Sequence, residues 1–272
     1  MTGIRRLLAA LVAALCLAAL TAPTAFAVYP SSMASTGDSI TTAYNSCEAG
    51  RNCPANSWST GSNAAVNSFY LRILERNAAI RGRLFNDAVA NKKMADLAAQ
   101  VTNVVSQRVE YVTVAIGNND ICTETEAEMT SVESFTESFE AALETLSSRL
   151  PSALVSVLSL PNIHYLWRLL SSNRSATAWW TSHRICQWML ANPESTARAD
   201  AARRSRVLQH EVVLNEALAS VCARFANCRY DEGVAFRYAF ETGEVSTNDY
   251  FHPSAAGQTS LASIEWGATW VF

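Results

Sequence analysis

Apolar residues follow two rhythms along this chain. Between 64 and 75, Val66, Phe69, Tyr70, Ile73 and Leu74 recur at helical spacing, and 94–105 reads as a second amphipathic helix. The segment 109–116 is β-branched and apolar over most of its length, which predicts a buried parallel strand. A short, weakly apolar strand is expected over 28–36, with others over 84–89 and 153–160, and a last short one over 228–230. A third helix over 132–150 stops at Pro151. A long helical region over 163–190 carries Trp167, Trp179, Trp180 and Trp188. A long helix with an arginine-rich exposed face is expected over 196–225. Ser254 is placed to N-cap a closing helix over 255–266. Strands alternate with helices, which predicts an α/β fold: a three-layer α/β/α sandwich around a parallel sheet.

The first 27 residues do not fit this alternation. Arg5 and Arg6 precede an apolar run from Leu7 to Leu20, and Ala25-Phe26-Ala27 follows as a small-x-small site. This is the layout of a cleaved secretory signal. A membrane anchor is the alternative, but the run is shorter than the roughly 20 residues a spanning helix needs. The expected organisation is a signal over 1–27 and one domain over 28–272, exported and not inserted in a membrane. The signal carries two of the 21 basic residues and none of the 24 acidic ones. The remainder therefore holds 19 against 24, a net charge of −5. Mild acidity argues against a nucleic-acid partner.

Of the seven cysteines, Cys16 leaves with the signal. An even number in an exported chain implies disulfides. Pairing Cys47–Cys53 and Cys222–Cys228 closes two short local loops and leaves Cys122–Cys186. A zinc site is the rival reading, but no CxxC pair or close Cys/His group supports it.

Three polar blocks carry candidate chemistry. Gly37-Asp38-Ser39-Ile40 presents a hydroxyl at a tight turn, where a following helix would aim free N–H groups at a developing oxyanion. Alone, Ser39 reads more readily as an N-cap than as a nucleophile. Gly117-Asn118-Asn119-Asp120 ends strand 109–116, at the sheet edge where open α/β folds bind ligands. There Asn119 offers a side-chain N–H, or simply caps the strand. In Asp249-Tyr250-Phe251-His252-Pro253, a carboxylate three residues before an imidazole can fix its tautomer and stabilise its charged form. A surface turn before a helix explains that block equally well when it stands alone. His164, His183 and His210 have no ligand-like spacing and read as packed or surface residues.

Taken together and in this order, the blocks resemble those of the SGNH/GDSL hydrolase family, and more closely its secreted actinobacterial esterases and lipases with three disulfides. The resemblance spans nearly all of 28–272. It implies a flavodoxin-like sheet and metal-independent, cofactor-free ester hydrolysis. It implies Ser39 as nucleophile, His252 as base and Asp249 as its orienting acid. It also implies an oxyanion hole from the Ser39 N–H, a second-block glycine N–H and the Asn119 side chain. The chain departs from the family at that glycine. The run Asn86-Asp87-Ala88-Val89-Ala90-Asn91 places Asn91 there, which retains an N–H but adds a side chain that would crowd large esters. The expected substrate is a small-molecule or lipid ester, fatty-acyl by preference, and the expected state is a monomer. The rivals are a carbohydrate esterase of the acetylxylan type and a silent binding module of the same fold.

Overall fold

The computed structural model describes residues 29–270 and 272, so the expected signal over 1–27 lies outside the described residues. Five parallel strands form one sheet in the order β2-β1-β3-β4-β5: β1 (Met33–Gly37), β2 (Leu84–Asn86), β3 (Tyr111–Ala115), β4 (Leu154–Val157) and β5 (Cys228–Tyr230). That order reverses direction between β1 and β3, which makes the crevice beyond their carboxyl ends the place for a ligand. Gly37 pairs with Ala115 in the β1–β3 register, so the blocks that begin at Gly37 and Gly117 leave the sheet side by side.

The pleat of β3 explains the three layers. Val112 and Val114 face one core, built with Leu97, Val101 and Val104 of α2 (Leu97–Gln107), Phe135 and Phe139 of α4 (Val132–Arg149), and Leu214 and Leu218 of α8 (Arg198–Cys222). Tyr111 and Ala115 face a second core with Phe69 and Ile73 of α1 (Phe69–Arg76) and Leu261 of α10 (Ala255–Ala268). Alternation of side chains along one strand thus feeds two faces. Between these residues Thr113 hydrogen bonds the buried hydroxyls of Ser35 and Ser59, which satisfies a polar seam within the second core.

Several expectations are refined. The region 163–190 is three short helices: α5 (Ile163–Leu170), α6 (Arg174–Ser182) and α7 (Gln187–Leu190). Asn173 restarts the chain by accepting from the Ser175 and Ala176 N–H groups, a cap that a continuous helix would not need. The helix over 198–222 keeps Arg198 and Arg206 on an exposed face, but not all of its arginines. Arg203 and Arg204 are buried, because the Trp-rich segment covers them. Arg203 donates to the carbonyls of Trp188 and Ala191, and the Arg204 guanidinium lies 4.1 Å from the Trp167 ring centre. Ser254 caps α10 through the Gly257 N–H as expected. The six described cysteines pair as Cys47–Cys53, Cys122–Cys186 and Cys222–Cys228.

Candidate active site

Ser39 follows β1 on a turn, not at the head of a regular helix. The Thr42 and Tyr44 N–H groups donate to the Asp38 and Ser39 carbonyls, and the coil ends where Ala43 and Asn45 take positive φ of 52° and 59°. A regular helix does not begin here, so the expected helix-dipole contribution is absent. Gly37 makes the turn possible. Its φ is 144°, and a Cβ would lie 2.3 Å from the Ala115 carbonyl oxygen. Asp38 is buried and accepts from the Ile40 N–H. Burial pushes its carboxyl up to about 6, against the lowering effect of that bond and of His252.

His252 reaches Ser39 from the other end of the chain. Its Nε2 stands 2.8 Å from Ser39 Oγ, and its Nδ1 stands 2.5 Å from Asp249 Oδ2. Asp249 Oδ1 accepts from the Phe251 and His252 N–H groups, and Oδ2 also accepts from Asn45 Nδ2. Burial alone would raise the Asp249 carboxyl. The donors from His252 and Asn45 and the charge of His252 outweigh it and hold the group below the usual carboxylate range. The loop is fixed by an antiparallel bridge between Val245 and Pro253, and the Ser246 N–H donates to the His252 carbonyl. Ser39, Asp249 and His252 thus form one hydrogen-bonded chain.

Asn119 faces the same crevice and donates to the Lys92 carbonyl at 2.9 Å, which ties the Gly117–Asp120 block to the Asn86–Asn91 run. Asn91 has φ 64°, the left-handed backbone expected of the glycine it replaces. Its side chain is exposed and is not among the groove-lining residues, so the expected crowding of large esters does not arise there. Among the described residues, neither the Ser39 nor the Asn91 backbone N–H donates to another group.

A groove begins at Ser39, Asn119 and His252. Its walls are mostly apolar: Ile163 and Leu166 of α5 on one side, Phe240, Val245 and Phe251 on the other. None of the four tryptophans of 163–190 lines it. Trp180 is fully buried and donates to the Tyr250 carbonyl, so the segment braces the His252 loop from behind. His210 bonds the Thr130 carbonyl and His183 stacks on Trp179, both away from the groove.

Sequence reasoning missed the residues that hold these parts together. Gln100 of α2 accepts from the Gly37 N–H and donates to the Gly37 carbonyl. Gln258 of α10 donates to the Ile40 carbonyl and accepts from the Trp58 N–H. Both are buried polar side chains in helices, and a polar residue on the apolar face of a helix is the one signal that marks them.

With the geometry in place, comparison with known proteins gives the class. The description GDSL-like Lipase/Acylhydrolase matches residues 35–264, and the chain belongs to that family. It is accordingly a hydrolase. Comparison with curated proteins finds no match. Among solved structures, it is similar to phospholipase A1 from Streptomyces albidoflavus NA297, with a TM-score of 0.54 and 16% identity over 88% of this chain and 99% of that one. It is similar also to a carbohydrate esterase family 2 enzyme with a carbohydrate-binding domain from Corynascus thermopiles, at TM-score 0.52, 13% identity, 89% of this chain and 66% of that one. The psychrotrophic esterase EstA from Pseudoalteromonas sp. gives 0.50 and 9%, over 88% and 96%. At these identities the likeness is one of fold.

Proposed function

We propose that the protein is an exported serine esterase acting on fatty-acyl or lipid esters. The hydrogen-bonded chain from Asp249 through His252 to Ser39 carries the reading of the chemistry. Ser39 Oγ attacks the ester carbonyl while His252 Nε2 takes its proton. The carbonyl oxygen gains the negative charge and is held by the Ser39 N–H, the Asn91 N–H and Asn119 Nδ2. His252 then gives its proton to the leaving alcohol, and the acyl group stays on Ser39. Water, deprotonated by His252, releases the acid and restores the hydroxyl. Asp249 keeps the imidazole in the tautomer that has Nε2 free to accept, and stabilises the imidazolium. The preformed N–H donors lower the barrier by meeting charge as it develops.

The apolar groove at Ser39 supports a long acyl or alkyl chain over an acetyl group on a sugar. A sugar would need polar partners along the walls, where Ile163, Leu166, Phe240, Val245 and Phe251 predominate and the side chains of Asn118, Asn162 and Glu244 already bond within the protein. Export is supported by the signal-like residues 1–27 and the three disulfides. The test is a chain-length series of nitrophenyl esters run beside acetylated xylan. Rising kcat/KM from acetate to longer acyl chains, with xylan left acetylated, is the expected result. Release of acetate from xylan with no hydrolysis of longer esters contradicts the substrate class.

A further inference from the structure

Resting on the hydrolase reading above, we propose that Asn45 is a positioning residue for the base, and that the Cys47–Cys53 loop holds it in place. Every polar group of Asn45 is engaged. Its Nδ2 donates to Asp249 Oδ2 at 2.5 Å, the oxygen that also accepts the hydrogen bond from His252 Nδ1–H. Its carbonyl accepts from Ser246 Oγ and Asn248 Nδ2, which belong to the same acid–base loop. Its backbone N–H donates to the Arg51 carbonyl, and its Oδ1 accepts from the Gly50 N–H. Asn45 therefore joins two segments: the loop bearing Asp249 and the loop closed by Cys47–Cys53.

The chemistry follows from the shared oxygen. A donor on Oδ2 orients the carboxylate toward His252 and favours its ionised form. The Asp249–His252 pair then stays charge-separated when the imidazole takes the Ser39 proton. The disulfide matters because residues 47–52 are exposed and bury no apolar surface that would order them. The Glu48–Arg51 ion pair is exposed and adds little. Cys53 is buried, and its N–H donates to the Thr42 carbonyl in the Ser39 turn. The bridge thus pins the free side of the loop to the turn that carries the nucleophile, and Gly50 and Arg51 stay where Asn45 meets them.

Two variants separate this role from a structural one. Asn45→Asp keeps the acceptor for the Gly50 N–H and the tolerance for left-handed backbone, but sets a second carboxylate against Asp249. Asn45→Gly keeps the backbone at φ 59° without strain and removes only the side chain. With 4-nitrophenyl butyrate as probe, both should lose kcat by between about tenfold and 10²-fold, with KM within about twofold. Asn45→Asp should be the worse of the two. A Cys47→Ser/Cys53→Ser variant should lose kcat in the same sense, and adding Asn45→Gly to it should cost less than Asn45→Gly costs alone. Wild-type kcat in Asn45→Gly and Asn45→Asp overturns the positioning role. Lost kcat in those variants with full kcat in the cysteine variant overturns the part assigned to the loop. Labelling by a fluorophosphonate runs alongside. An unlabelled, inactive wild type overturns the hydrolase reading and this one together, whereas a labelled, active wild type with unaltered Asn45 variants overturns this one alone.

Discussion

Trp180 donates its indole N–H to the carbonyl of Tyr250 at 3.0 Å, across 70 residues of sequence. Tyr250 has a positive φ of 57° and lies between Asp249 and His252. A residue other than glycine in that conformation is held there by its surroundings. The bond makes the Trp-rich segment the rear support of the acid–base loop, while Ile163 and Leu166 of α5 provide its groove wall.

Trp180→Phe keeps a buried ring and removes the donor. The Tyr250 carbonyl loses its indole partner, at a cost of about 1–3 kcal/mol. The expected outcome is a lower melting temperature and a kcat reduced with little change in KM. Differential scanning calorimetry and steady-state kinetics check it. A variant with unchanged Tm and kcat would show that the bond braces nothing.

Asn91 separates backbone direction from side-chain bulk. At φ 64°, glycine adopts the same backbone, and the Asn91 side chain is exposed outside the groove. Asn91→Gly is expected to leave hydrolysis of short and long nitrophenyl esters within about twofold of wild type. Asn91→Val resists a left-handed backbone by about 1–2 kcal/mol and turns the N–H away. It should lower kcat on every ester alike, by up to about 10²–10³-fold if the donor is lost outright. Full activity in Asn91→Val would remove Asn91 from the oxyanion hole.

Glu211 governs part of the pH dependence of stability. It is fully buried behind the groove wall and accepts from the Ile163 N–H. Burial raises its carboxyl well above the ordinary value of 4.5, against that one opposing bond. The folded state therefore binds a proton that the unfolded state releases above pH 4.5. The stabilisation is complete below that value and declines as pH rises toward the raised folded value. Glu211→Gln keeps an acceptor for Ile163 and does not titrate. Its Tm should fall less than that of the wild type between pH 5 and 8. Glu265 and Asp38 are raised in the same direction, so the slope shrinks without vanishing. Parallel Tm curves for the two proteins would contradict the assignment.

Legibility from sequence followed the range of the interactions. Strand β3 was evident because a β-branched run at the centre of a sheet needs no distant partner to identify it. The cap at Ser254 and the local disulfides Cys47–Cys53 and Cys222–Cys228 are likewise short-range features. The three polar blocks announced the site because their order and residue types were informative together. The turn after Ser39 read as a helix because polar, small residues suit either; the positive φ at Ala43 and Asn45 that ends it leaves no clear pattern. Arg203 and Arg204 read as exposed because the rings and carbonyls that cover them come from another segment. Asn45, Gln100 and Gln258 were invisible for the same reason. Their partners lie 204, 63 and 218 residues away, and only the closed fold brings them together.

The central claim is that Ser39, activated by His252, forms a covalent acyl-enzyme. Wild type and Ser39→Ala are incubated with a fluorophosphonate, digested and analysed by mass spectrometry, and each is assayed on 4-nitrophenyl butyrate. The account predicts a single phosphonyl adduct on the wild-type peptide containing Ser39 and none on the variant. It also predicts a loss of hydrolysis by several orders of magnitude, as removal of a nucleophile brings in serine hydrolases. An adduct on another residue, or a folded Ser39→Ala variant that keeps its activity, would contradict it.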